Sequence, residues 1–271
     1  PMTFDEFLNA NNENGLISMK RQADSQHPLD AAFHEKLIEY FRIYLLVGGM
    51  PEAVLAWITT HNFNQCSHIQ EDIILTYEDD FSKYKKRVSP DLLRTTLHGI
   101  CHQPGEKITF KQISADYRSS QIREAVRLLT LAGLVIPVIA TSGNGIPLDA
   151  EANEKNMKIL LLDSGLLLSV LQLEGNLAQH LVELIMTGSP QDLVNKGGLV
   201  EMVAGLELLR NKPCVQRQKM FYWEKSGNSI AEIDYLDTFH LKVTIRHTGW
   251  HEEPMAIHER ETPYRSYPLF I

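Results

Sequence analysis

The sequence predicts an α+β protein, mostly helical, in which an N-terminal helical region and a winged helix precede an incomplete α/β domain. Three observations carry that prediction. Apolar residues recur at helical spacing through most of residues 28–87. Residues 89–148 read as three helices followed by a strand and a turn. Residues 197–236 read as a helix followed by two strands. The expected divisions are a helical region over 1–88, a winged-helix domain over 89–148 and an incomplete α/β domain over 149–271.

The 271 residues are enough for two or three small domains. With 44% hydrophobic and 22% charged residues the composition is that of an ordinary globular chain. The 26 Lys and Arg against 34 Asp and Glu give a formal charge of −8. Such a charge argues against non-specific binding of nucleic acid or anionic membrane by the chain as a whole and leaves local basic patches open. Cys66, Cys101 and Cys214 are odd in number and lack CxxC spacing, so neither a disulfide framework nor a thiolate zinc site is expected, and the usage fits a reducing cytoplasm. The longest apolar runs, such as Ile159–Leu162 and Leu166–Leu168, are too short to span a bilayer, so no membrane partner is expected.

Within residues 1–27, MTFDEFL reads as a short helix and the polar NANNEN stretch with Gly15 as a loop. Phe33, Leu37, Phe41, Tyr44 and Leu45 form one apolar helical face. Pro28 brackets its start, Gly48-Gly49 caps its end, and Pro51 opens the next helix. The glycine pair lacks the Lys-Ser and the longer glycine-rich loop of a phosphate cradle. A long helix is expected over 63–87, with Glu78, Asp79 and Asp80 on a solvated face. Its basic end, Lys85, Lys86 and Arg87, suits the negative helix pole, and contact with nucleic acid is the alternative.

In 89–148, Ser89-Pro90 caps the first helix, FKQISADY forms the second, and Ser119-Ser120 cap the third. Ile122, Val126, Leu129 and either Leu131 or Leu134 should face inward. The third helix is where a DNA-reading helix would lie, and its early turns present Gln121, Arg123 and Arg127. LVIPVIA is the following strand, with SGNG as the wing turn. His98 and His102 stand i,i+4 on the first helix; they read as two helix residues, since a metal there would need a carboxylate to join them.

Further on, KILLLD reads as a strand and Asp163 as the N-cap of the next helix. GGLVEMVAGLELL is a helix bearing Glu201 and Glu207. KMFYWEKS and SIAEIDYL are strands, and the second places Glu232 and Asp234 on one face. A helix glutamate followed by two strands with an acid on the second is how one metal-dependent nuclease core begins. FHLKVTIRHTG reads as one more strand and SYPLFI as a terminal strand.

Several stretches together resemble one family: PMTFDEFL, YLLVGGMPEAVLAWI, GEKITFKQISADYRSSQIREAVRLLTLAGLVIPV, KILLLDSGLL, GGLVEMVAGLELL, FYWEKSGNSIAEIDYL and YPLFI. Their order is similar to that of the C-terminal region of prokaryotic AAA-type ATPases carrying the domain of unknown function 4143. The resemblance implies a preceding P-loop domain that binds ATP, then a helical and winged-helix segment, then a restriction-endonuclease-like fold of the PD-(D/E)xK type. No GxxxxGK[ST] occurs in this chain, so the ATPase domain would be a missing partner and the chain a fragment. The resembling proteins also follow their acidic strand with a Glu-x-Lys strand. Here AEIDYL runs through DTF into HLKVTIRHTG, which implies a block lost between about 236 and 240.

A nuclease of that type would hold Mg2+ between two carboxylates and a carbonyl and place a lysine beside the water. Glu201, Asp234 and Glu232 are the candidate acids; Lys242 is the only lysine after Asp234, and its neighbours are not acidic. The site is therefore expected to lack a carboxylate and its lysine, and the acids to mark ancestry. The leading expectation is a non-catalytic accessory region that contacts DNA or a protein partner and has no cofactor of its own. The alternatives are an Mg2+-dependent nuclease using Glu201, Asp234 and Glu232, and a DNA-binding regulator.

Overall fold

The computed structural model describes residues 1–24, 26–142, 148–173, 177–189, 198–210, 219–224, 232–236 and 245–246. They form an α+β fold, mostly helical, with a small mixed sheet. Helix α1 (Phe4–Ala10) starts at a capping box: Glu6 N–H donates to Thr3 Oγ1 at 3.2 Å and Thr3 N–H to Glu6 Oε2 at 2.7 Å. The polar stretch read as a loop is only a short turn, because α2 (Asn14–Gln22) follows and buries Leu16 and Ile17.

Asp30 caps α3 (Ala31–Val47), accepting from Ala32 N–H at 3.0 Å. Leu37, Phe41, Tyr44 and Leu45 are buried as expected, but Phe33 is 39% exposed. It lies in the first turn, beyond the packed stretch of the helix. Gly48 ends α3 at φ 69°, the left-handed region that glycine enters without penalty. Then come α4 (Pro51–Thr60) and α5 (Phe63–Asp80). The long helix expected over 63–87 stops at Asp80 and tightens into a 3-10 turn, Phe81–Tyr84, that buries Phe81. Glu78 is buried rather than solvated, paired with Arg94 Nε at 2.7 Å and His98 Nε2 at 2.8 Å. His98 thus has a carboxylate beside it, while His102 is the C-cap of its helix. Among the described residues no group of three His, Cys, Asp or Glu could hold a metal ion.

Ser89 Oγ caps α6 (Pro90–Cys101) by accepting from Leu92 N–H at 3.2 Å. Helix α7 is only Phe110–Ile113, shorter than the run read for it. Arg118, not a serine, is the N-cap residue of α8 (Ser119–Leu131); its N–H donates to Gln121 Oε1 at 3.0 Å. Ile122, Val126, Leu129 and Leu134 are buried, and Leu131 is 49% exposed. Strand β1 (Val135–Thr141) turns into β2 (Ala152–Leu161). The wing turn expected at SGNG falls mostly outside the described residues.

Helices α9 (Ser164–Leu173), α10 (Leu177–Thr187) and α11 (Gly198–Arg210) precede β3 (Met220–Glu224), β4 (Glu232–Leu236) and the short β5 (Ile245–Arg246). The strand order is β2-β1-β3-β4-β5, antiparallel except for the parallel β1–β3 pair. Strands before and after residue 148 therefore share one sheet. The expected terminal strand and Lys242 lie outside the described residues. One hydrophobic core runs from Phe4 to Tyr235. No helix among the described residues is long and apolar enough to cross a membrane.

Candidate site: a buried lysine among carboxylates

Three elements far apart in sequence bring one lysine and three acids together. Lys158 is on β2, Glu201 in the first turn of α11, and Glu232 and Asp234 on β4. Lys158 Nζ donates to Glu201 Oε1 at 2.8 Å and to Asp234 Oδ1 at 2.9 Å. Its third contact, with Glu232 Oε1 at 2.9 Å, is an ion pair without hydrogen-bond alignment. The lysine side chain is 4% exposed. In a flat sheet β2 and β4, three strand steps apart, would be about 14 Å from each other. The side chains close that gap, with the Lys158 ammonium over the Tyr222 ring of the intervening β3.

Packing fixes this geometry. Tyr235 O–H donates to the Glu201 carbonyl at 2.8 Å, tying β4 to the first turn of α11. The Tyr235 ring lies against Gly205, where a Cβ would come within 2.6 Å of it. That close approach explains a glycine in mid-helix, a position it otherwise disfavours. The i,i+2 spacing of Glu232 and Asp234 puts both carboxylates on the lysine side, as expected from the strand period.

Burial opposes the charge on Lys158, but Glu201 foremost, then Asp234 and Glu232, outweigh it and raise the ammonium pKa. Burial likewise pushes the Glu232 carboxyl up, while Lys158 and then Lys107 hold it below the usual range. Lys107 also pairs with Glu224 and lies 3.5 Å from Glu232 Oε2. Four carboxylates thus meet two ammonium groups. Tyr222 is fully buried beside them, 5.5 Å from Lys158 Nζ and 5.8 Å from Lys107 Nζ at its ring centre, and its hydroxyl has no hydrogen-bond partner among the described residues.

The lysine expected to be missing from these acids comes from upstream: Lys158 of β2, not a residue after Asp234, stands among them. A signal was available. Lys158 interrupts the apolar run from Met157 to Leu162, and a cation in a buried strand requires an acidic partner. Lys107 and Tyr222 carried no comparable signal.

The other acids have anchoring roles. Asp163 accepts from Leu166 N–H at 3.1 Å, as the N-cap expectation requires, and from Gly49 N–H at 2.7 Å, which fastens the Gly48-Gly49 turn to α9. Glu207 accepts from Phe4 N–H at 3.0 Å and Tyr44 O–H at 3.2 Å, joining α11 to α1 and α3.

The candidate nucleic-acid residues lie elsewhere and are exposed. Gln121, Arg123 and Arg127 are on α8, and Lys85, Lys86 and Arg87 follow the 3-10 turn. Arg127 is paired with Glu124 through Nε and Nη2 at 2.7 and 2.6 Å. The Arg123 guanidinium stands over the Phe110 ring at 5.6 Å. Gln121 uses its oxygen at the helix cap.

No curated protein and no solved structure matches the chain. A family profile does, over residues 38–177, from the middle of α3 to the start of α10. That stretch covers half of the 271 residues and includes Lys158 but not its acidic partners. The chain belongs to the family described as Domain of unknown function (DUF8612).

Proposed function

We propose that this chain is a non-catalytic accessory module that works by contact, of the kind that accompanies an AAA-type ATPase domain. One observation carries the non-catalytic part: the Lys158 ammonium occupies the space between Glu201, Glu232 and Asp234. A hard divalent cation needs about six oxygen ligands in that space. With the ammonium already engaged by all three carboxylates, these residues do not fit a bound Mg2+, and no metal-dependent step is derived from them.

The topology supports the finer fold readings. Three helices (α6, α7, α8), the β1–β2 pair and a backbone bridge from Lys107 to Lys158 follow the order of a winged helix. The succession of α11, β3 and β4, with acids on α11 and β4, supports the start of a restriction-endonuclease-like core. In this proposal that core has been turned into scaffold, and the contact surface is the exposed side of the helices before it.

Calorimetric titration with Mg2+ and Mn2+, together with a plasmid-cleavage assay, tests the proposal. The expected outcome is no saturable metal binding and no nicking. Nicking that needs the metal and disappears in Asp234→Ala would establish the nuclease alternative instead.

A further inference from the structure

Arginine and lysine are distributed unevenly between two conditions in this molecule. Outside residues 85–123, each Lys and Arg whose side chain is described has a carboxylate or a carbonyl to hold. Lys20 and Arg21 share Asp5, Lys36 has Glu13, Lys83 has Asp80 and Lys219 has Asp149; within that range Arg94 has Glu78 and Lys107 has Glu224. Arg42 and Arg210 donate to main-chain carbonyls, and Arg127 is satisfied by Glu124. Six cations have no such acceptor among the described residues: Lys85, Lys86, Arg87, Lys111, Arg118 and Arg123. All six are exposed.

They also belong together in space. Helix α6 packs against both the 3-10 turn and α8. Arg87 lies close enough to act on Glu124 of α8. Arg123 stands on Phe110, and Lys111 is the next residue. From Phe81 to Leu131 the chain carries ten Lys and Arg against four Asp and Glu, a local charge of +6 within a chain of −8. Four of those ten are paired with carboxylates; the six exposed cations that hold none repel one another unless an anionic partner meets them.

We propose that this face, made by Lys85–Arg87, Lys111 and the first turns of α8, binds the phosphate backbone of duplex DNA. The partner is chosen by what the face offers. A lipid surface calls for apolar residues beside the cations, and a protein interface for an aromatic or aliphatic anchor. The first turns of α8 expose Ser120, Gln121 and Arg123, and the exposed leucine, Leu131, sits at the far end. A helix is about as wide as the major groove of B-DNA, and Gln121, its oxygen used at the cap, has its amide N–H2 left to donate. The narrow major groove of A-form RNA would not admit the helix.

The proposal names a partner for the contact module above, and the two fail separately. Plasmid nicking would end the non-catalytic reading and leave duplex binding standing; absent duplex binding would end only the choice of partner. The experiment is fluorescence anisotropy of the whole chain with a labelled duplex of about 20 bp, titrated with salt from about 50 to 200 mM. Six phosphate contacts predict a slope of log affinity against log salt of about −5. The triple substitution Lys85→Ala, Lys86→Ala, Arg87→Ala should make the slope shallower by about 2 to 3, and Arg123→Ala by about 1. The double substitution Lys20→Ala, Arg21→Ala, which removes cations already held by Asp5, should leave it unchanged. Circular dichroism checks that each variant is folded. No retention of duplex near 50 mM salt overturns the proposal, as does equal weakening by the Lys20/Arg21 control. Retention of phosphatidylserine vesicles or of polyglutamate in place of the duplex also overturns it.

Discussion

Lys158 and Arg123 are both cations of ordinary chemistry, yet the fold gives them opposite surroundings. Lys158 is sealed in the sheet with three carboxylates on its ammonium. Arg123 is exposed on the ring of Phe110 and pairs with no acid among the described residues. A buried charge is tolerated only when it is paired, and once paired it is costly to disturb. An exposed, unpaired charge contributes little to stability and remains available to a ligand. The first arrangement holds α11, β2 and β4 together; the second leaves a surface able to bind something else.

The sharpest break of that contrast is Lys158→Met. It takes the ammonium away from three carboxylates, of which Glu232 keeps Lys107 at 3.5 Å, and the expected loss is about 3–5 kcal/mol, read by urea unfolding. The deficit should shrink as pH falls, because the orphaned carboxylates can take protons. The wild type should behave the other way. The Glu232 pKa is depressed in the folded state. Its contribution is therefore present above the unfolded carboxyl pKa and is lost as pH falls through the lower folded value. A deficit of the same size at every pH would mean that packing, not charge, dominates at Lys158.

Gly205→Ala comes next. Its methyl group would press on the Tyr235 ring and drive α11 from β4, with an expected loss of about 1–3 kcal/mol. Near-neutral stability in that variant would show that the two elements can separate without harm to the cluster.

Glu207→Gln sharpens the contrast from another side, since Glu207 is buried with Arg210 standing off at 4.0 Å. Burial raises its pKa, against the smaller pull of Phe4 N–H, Arg210 and Tyr44. Its folded form therefore favours the proton, and its contribution to stability declines as pH rises from the ordinary carboxyl range through the raised folded value. The glutamine keeps the acceptor for Phe4 N–H and Tyr44 O–H. The variant should match the wild type within about 1 kcal/mol at neutral pH and flatten its decline on the alkaline side. A loss of several kcal/mol at neutral pH would show that the charge itself is needed.

The smallest stability effect belongs to the exposed face. Replacing Lys85, Lys86 and Arg87 by alanine should change stability by no more than about 0.5 kcal/mol. A larger loss would place these side chains in the fold rather than at its surface.

Much of the helical layout was readable from local signals. Ser89 and Asp163 read as caps because a short polar oxygen before an apolar run has one common use, and both cap. Gly48 reads as a terminator because it can take positive φ, and it does. The misses came where packing overrode local pattern. Phe33 fits the apolar period yet lies outside, since the core ends one turn further along α3. Glu78 sits in an acidic run yet is buried, since Arg94 and His98 of α6 come to meet it. Glu201, Glu232 and Asp234 stand out as candidates in the sequence, but their partner Lys158 precedes them by 43 to 76 residues.

The sequence by itself determined most of the helices, the caps at Ser89 and Asp163, the strand face that puts Glu232 and Asp234 side by side, and the concentration of cations between Phe81 and Leu131. Each of these depends on neighbours within a few residues. Only the tertiary structure decided that Lys158 would close the acid cluster and that Lys85–Arg87 would lie beside α8. Those pairings join residues distant along the chain, and they arise from the strand order of the sheet and the packing of α6, which no local spacing encodes.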